Sequence, residues 1–433
     1  MSAYFEIAYA AASGRLCFFT GTGFSKAVTD NAAPSWQSLL ETMCTHLSNG
    51  AAISSALFPA TGNNPLPLEE AAQVIDIEFQ QIGLSLHESI AKHISGVVLS
   101  GDNSLISRFF EGKSFDVVTT NYDKLMEQLI GSNCHSIAPG LPIPRAHAPV
   151  SVYHVHGSVD SPRKMVVTSD DYFKFLNGDS YFSRKLSTIL YENTVVILGY
   201  SLGDTNLKSI LSDYKGFSRS NFVGASIFIV SRSLVSQHIK DYYSHSLGIR
   251  VIDNTSVHQF FNTVTGWMAD AEKCVTASRE NIRKAIHNGY VYTDHYLRVQ
   301  SSFFEIIAAI PAVGMSITSD KVVELIGSIV KRKSSFTLEY NAWDQYTHLA
   351  RWLIHLCCIL ELRGTPIESA ILEAVHRSMS TMISSNTRGY SWHAYNAWAS
   401  GWSNIAPANR ALIRSHIERN CHWPDALTVV RSV

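Results

Sequence analysis

At 433 residues the chain exceeds the usual size of one domain, and its 46 % hydrophobic and 16 % charged residues describe a globular, rather apolar protein. A formal net charge of -1 gives no electrostatic ground for nucleic-acid binding, and the one compact basic run, Lys331-Arg332-Lys333, reads as the solvated end of a helix. Seven cysteines at positions 17, 44, 134, 274, 357, 358 and 421 form no CxxC pair, which fits neither a disulfide framework nor a zinc ribbon and suits a reducing cytoplasm.

The stretch Ala8-Tyr9-Ala10-Ala11-Ala12 lacks a basic n-region and follows Glu6, so it predicts a helix rather than a signal peptide. Short β-rich runs at 15–20, 116–120, 150–156, 194–198 and 225–230 predict strands. Amphipathic periodicity places helices between or after them at 36–47, 68–81, 103–110, 123–130, 204–213 and 234–243. This alternation predicts an α/β fold, a Rossmann-like, mainly parallel sheet with helices on both faces, whose ligands gather at the carboxyl ends of the strands. Beyond about residue 270 the strand signal stops. Helical stretches at 275–285, 296–310, 319–331, 341–362 and 366–382 predict a C-terminal all-helical domain, which divides the chain into 1–270 and 271–433. Its apolar runs fall far short of the roughly 20 residues of a membrane span, so no membrane association is expected.

Four of the strand ends carry polar or glycine-rich turns. The first runs into Thr20-Gly21-Thr22-Gly23-Phe24-Ser25, where glycines let a backbone approach a pyrophosphate and amides at a helix start can donate to it. The same turn serves equally as a tight strand–helix connection, and Lys26 lacks the glycine spacing of a Walker A loop. The second ends in Asn121-Tyr122-Asp123, polar groups that could face a ligand or cap the next helix. Along Val152-Tyr153-His154-Val155-His156-Gly157 strand alternation points His154 and His156 to one face. The fourth ends in Gly199-Tyr200-Ser201-Leu202-Gly203-Asp204.

Taken together these segments resemble the sirtuin-like family, in its bacterial branch associated with NAD hydrolysis and phage defence, over roughly residues 15 to 210. Gly21-Thr22-Gly23-Phe24-Ser25 looks like the family's G-A-G-x-S phosphate loop, with Thr22 replacing alanine. Thr120-Asn121-Tyr122-Asp123 is similar to its Q-N-x-D segment, His156-Gly157 to its H-G segment and Gly199-Tyr200-Ser201-Leu202 to its G-x-S-L turn. The resemblance implies catalytic roles for Asn121 and His156, and NAD contacts from Gly21, Thr22, Gly23, Ser25, Asp123, Gly199 and Ser201. The paired zinc cysteines of the deacylase branch are missing, so no structural zinc is expected. Pro34-Ser35-Trp36 stands where that branch has an F-R pair.

These departures turn the expected acceptor from an acylated lysine to water. The reading is an NAD hydrolase that breaks the nicotinamide–ribose bond. The alternatives are a module that binds NAD or an ADP-ribose-derived signal without turnover, and an NAD-dependent deacylase. Asn121 could order the water and contact the ribose, and His156 could take the proton. By the same resemblance the protein is expected to be a cytoplasmic homo-oligomer kept inactive until infection, which could act with a separate partner such as a HerA-type ATPase. In the helical third, His348, His355 and Cys358 read as core rather than as a metal site, and Trp343, Trp352, Trp392, Trp398 and Trp402 as anchors of a core or an interface.

Overall fold

A computed structural model describes residues 2–143, 148–177, 181–201, 227–385 and 389–432. Seven strands form one parallel sheet: β1 Leu16–Thr20, β2 Phe115–Thr119, β3 Cys134–Ile137, β4 Val150–His154, β5 Thr194–Leu198, β6 Ile227–Val230 and β7 Ile249–Ile252. Their spatial order is β3-β4-β2-β1-β5-β6-β7. The expected Rossmann-like α/β architecture is therefore present, extended by two short edge strands that the sequence pattern does not single out. The half-buried, polar residues of β3 explain why it escapes a search for apolar runs. The expected helix at 204–213 lies outside the described residues, as does the start of the expected strand at 225–230.

Alternation along the central strands divides the core. Phe18, Val117, Val152, Val196 and Phe228 face a layer that includes Phe109 and Phe110 of helix Ser104–Phe110 and Phe260 and Phe261 of helix Val257–His287. Phe19, Val118, Tyr153, Ile197 and Ile229 face Ile189 and Leu190 on one side helix and Tyr243 and Leu247 on another. Both sheet faces are thus covered, the arrangement that parallel strands require. Helices Trp36–Cys44, Gly50–Leu57, Leu68–Gln81 and Leu86–Ile94, inserted between β1 and β2, build a third apolar cluster with Tyr122, Met165 and Val167. That insert stands over the carboxyl end of the sheet.

Beyond β7 every described helix belongs to the helical region, apart from the opening stretch of Val257–His287, which packs on the sheet. This helix of 31 residues runs through residue 270 without a break, and its Ser278 hydroxyl lies 2.6 Å from the Tyr9 hydroxyl of the N-terminal helix Ser2–Ala12. One apolar cluster extends from β1 to Val430. Trp352, Trp398 and Trp402 are buried in it, whereas Trp343 and Trp392 are exposed.

The basic run departs from its expected solvated state. Lys331 is exposed, but Lys333 is fully buried, with its ammonium donating to the Leu297 carbonyl at 2.9 Å and Gln345 Oε1 at 2.7 Å over the Trp352 ring. A helical lysine at the end of a charged run looks exposed in sequence. Here helix Asp294–Arg298 ends beneath it and needs donors for its last carbonyls.

Burial pushes the imidazoles of His348 and His355 down to about 4, with the Lys333 ammonium adding to the effect on His348. Their ordinary value is about 6.5. The unfolded chain therefore takes up protons as pH drops below about 6.5 while the folded chain refuses them until about 4, so stability is lost across that window as pH falls. We expect the thermal unfolding midpoint to fall by several degrees between about pH 7 and about pH 5, and His355→Leu to flatten the slope. An unchanged midpoint in both proteins would show that these rings ionise alike in both states.

Candidate functional site

Register aligns the ends of four strands in one row. Thr20 pairs with Thr119 on one side and Leu198 on the other, and Thr119 pairs with His154. Chain order reverses at β1, which lies between β2 and β5, so the loops after these strands diverge around a crevice, the switch point where open parallel sheets bind ligands. A cavity of about 400 Å³ fills it. Thr22, Gly23, Ser25, Asn121, Asp123, His156, Gly199 and Ser201 all line this cavity, and Trp36, Leu39 and Ile94 of the inserted helices roof it.

The glycines act first on the protein itself. Gly23 N donates to Gly199 O at 2.9 Å, and Gly21 N to Leu198 O at 3.0 Å. A Cβ at Gly23 would lie 2.8 Å from Gly199 Cα; one at Gly199, whose φ is +76°, would overlap the Phe24 amide nitrogen. The amides of Gly21 and Gly23, together with that of Phe24, which donates to Gly21 O at 2.8 Å, are spent closing the turn, and the helix that follows, Thr22–Ala27, has six residues. The expected donation of loop amides to a pyrophosphate therefore does not extend to these three. Gly21 packs under the Tyr200 ring, whose hydroxyl lies 2.5 Å from Thr120 Oγ1.

Ser25 joins the first two loops. Its hydroxyl donates to Asp123 Oδ2 at 2.7 Å and accepts from Asn121 Nδ2 at 2.8 Å, while Asp123 Oδ1 accepts from the Leu125 amide at 3.1 Å. With its own proton committed to the carboxylate, the Ser25 oxygen can only accept, and this fixes the Asn121 amide with its nitrogen toward Ser25 and its oxygen turned away. Burial raises the Asp123 carboxyl above its ordinary value, and the Ser25 and Leu125 donors oppose the rise. Asp123 consequently joins both expected roles, cavity wall and start of the helix Leu125–Ile130.

The two histidines part company. β4 ends at His154, and a turn closed by Gly157 N donating to His154 O at 3.1 Å breaks the alternation expected to align them. His154, wholly buried, sets Nδ1 3.0 Å from the Asn121 carbonyl oxygen and Nε2 2.8 Å from Glu127 Oε1. The ring thus bridges the Asn121 backbone to the Glu127 carboxylate. Burial alone would raise the Glu127 carboxyl, but the His154 hydrogen bond and charge and the Lys124 ammonium outweigh it and hold it at about 2. Lys124 in turn bridges Glu127 at 2.9 Å and Asp160 at 2.7 Å. This network braces the Asn121 backbone from behind. Sequence reasoning passed over Glu127 and Lys124, whose spacing on a short helix reads as an ordinary surface ion pair.

His156 lies on the other side, its ring edge-on to Tyr172 at 5.3 Å and to Phe175 at 5.0 Å. Both aromatic residues belong to helix Ser169–Asn177, which the strand search leaves unread. Desolvation lowers the imidazole to about 4, so at neutral pH it is uncharged and able to accept a proton. Among the described residues no group of three His, Cys, Asp or Glu side chains is placed to hold a metal ion, and no helix is long and apolar enough to cross a membrane.

A parallel sheet with a polar, glycine-locked switch point defines the class, and part of the chain is similar to a known family. Residues 116–252 match the SIR2-like domain family. Defense-associated sirtuin 2 of Bacillus subtilis is 24% identical over 258 residues, 58% of this chain and 24% of that protein. NAD(+) hydrolase ThsA of Enterococcus faecium is 36% identical over 114 residues, 24% of this chain and 23% of that protein, and the protein of the same name from Bacillus cereus (strain MSX-D12) is 31% identical over 99 residues, 22% and 21%. The chain spans about a quarter of the length of these curated relatives. This similarity over 116–252 agrees with the resemblance read from the strand ends. The glycine loop at 21–25 lies outside the matched residues but is bonded to them through Ser25 and Gly199.

The glycine contact predicts an asymmetry between two positive-φ positions. Gly199→Ala should cost more than about 3 kcal/mol or prevent folding, because strain and backbone overlap combine. Gly14→Ala, at φ +69° with nothing near its Cβ, should cost only about 1–2 kcal/mol in denaturant titration. Equal costs would mean that the two loops do not depend on their close approach.

Proposed function

We propose that this protein hydrolyses NAD at the nicotinamide–ribose bond, consuming water and releasing nicotinamide, ADP-ribose and a proton, and that NAD depletion serves antiphage defence by abortive infection. The observation that carries this reading is the Asn121–Ser25–Asp123 chain of hydrogen bonds, which turns the Asn121 amide oxygen away from Ser25 at the rim of the switch-point cavity. The names of the relatives, an NAD(+) hydrolase and a defence-associated sirtuin, support the reaction and the setting.

Cleavage passes through a transition state resembling an oxocarbenium ion, so the site must hold the ribose, exclude bulk water and aim one nucleophile. The Asn121 oxygen accepts from a water or a ribose hydroxyl, His156 takes the proton, and Trp36 and Leu39 limit access of solvent. Thr22, Gly23, Gly199 and Ser201 line the path of the dinucleotide, Gly21 lies outside the cavity lining against the Tyr200 ring, and Ser25 and Asp123 hold Asn121 in its orientation. Unrestrained loss of NAD would kill the host, which favours a cytoplasmic homo-oligomer held inactive, with a separate partner such as a HerA-type ATPase as one means of control.

Purified protein incubated with NAD should release nicotinamide without any acylated peptide. Release that requires the peptide would instead mark a deacylase, and tight binding without release a sensor. Asn121→Ala and His156→Ala should each abolish turnover, and Ser25→Ala should lower kcat about tenfold or more while the fold persists. Because the His156 imidazole is held down at about 4, the rate should stay level from about pH 8 down to about pH 5.5. A rate that halves near pH 6.5 in folded protein would remove His156 from the role of base.

A further inference from the structure

A second cavity, of about 570 Å³, lies far along the sheet from the first, between the edge strand β7 and the helices Gln237–Leu247, Trp343–Ile359 and Trp392–Gly401. Its volume falls within the range of small-molecule sites. Four charged side chains line it: Lys240, Asp241, Arg250 and Arg351, three cations against one carboxylate. Asp241 is already bound by Arg410. Lys240 and Arg250 are held in place by Asp253 at 2.8 Å and Glu6 at 2.5 Å. Arg351 is held by the uncharged Gln300 at 2.7 Å and, among the described residues, has no carboxylate on it.

A second, independent feature points inward. His355 lines the cavity, is buried to 4 % exposure, and its Nδ1 has no hydrogen-bond partner. A buried polar atom without a partner costs roughly 1–3 kcal/mol, a cost that a ligand atom would relieve. Rings complete the lining: the Arg250 guanidinium lies over Phe228 at 4.1 Å, and His355 meets Phe304 at 5.0 Å. Asn396 and Asn404 supply carboxamides, and β7 is the last strand of the sheet among the described residues.

We propose that this cavity binds a ribonucleoside monophosphate. Guanidinium groups match phosphate oxygens, while the unpartnered His355 nitrogen and the carboxamides can read the edge of a base; the cavity brings these chemistries together in a space of suitable size. An inorganic anion would leave the His355 nitrogen or the carboxamides unused. An apolar ligand would strand the cations. Bound there, the nucleotide joins the edge of the sheet to the helical region at a site remote from Asn121 and His156, so the inference does not rest on NAD cleavage.

Hydrogen–deuterium exchange on the full chain tests it with AMP, GMP, CMP and UMP as separate probes and with inorganic phosphate alone. At least one nucleotide should slow exchange about fivefold or more across 249–252 and 396–404, and Arg351→Gln, a change on an exposed side chain, should abolish the effect while circular dichroism stays unchanged. The proposal is overturned by any of four results: no protection from all four nucleotides, protection confined to 20–25 and 199–201, equal protection by phosphate alone, or protection that survives Arg351→Gln.

Discussion

The backbones of Gly23 and Gly199 touch, with the amide of one donating to the carbonyl of the other at 2.9 Å. Two loops that leave adjacent parallel strands can meet this closely only where neither carries a side chain, and at Gly199 the φ of +76° adds a second demand for glycine. The contact fixes where helix Thr22–Ala27 begins and hence where Ser25 stands. Ser25 sets the Asn121 amide, and Asp123 anchors Ser25 to the start of the next helix. The polar geometry of the switch point thus depends on a contact between two residues without side chains.

Around that contact the site is built from unlike halves. Behind Asn121 stand the ions of Lys124, Glu127 and Asp160, running from the exposed Asp160 inward to the buried His154, a network whose hydrogen bonds answer one another. Such a network restricts the positions of the groups it holds. In front, His156 lies among aromatic rings that strip its solvent and keep it uncharged. Two histidines two residues apart are therefore given opposite tasks by their surroundings, one as a donor that braces the backbone and one as a neutral ring at the cavity wall.

The helical region is continuous with the sheet domain through helix Val257–His287, which presents Phe260 and Phe261 to the sheet and Ile282 to the helices beyond. The change from mixed to helical structure falls between β7, which ends at Ile252, and the start of this helix at Val257, and the packing does not pause at residue 270. This continuity encloses the second cavity at β7, where the last strand of the sheet among the described residues meets helices.

By itself the sequence determined the fold class, the row of polar strand ends and the resemblance to a known family, because these rest on local signals: apolar runs of strand length, glycine at tight turns, and helical period, as over Leu68–Gln81, where expected and observed bounds coincide. Which strands are neighbours was decided only by the tertiary structure. Ser25 and Asp123 lie 98 residues apart and meet because β1 and β2 pair, and Gly23 meets Gly199 because β5 takes the other side of β1. The same holds for the helix end that buries Lys333 and for the cations gathered at β7. Each depends on contacts between residues distant in the chain, and periodicity records only the nearest few.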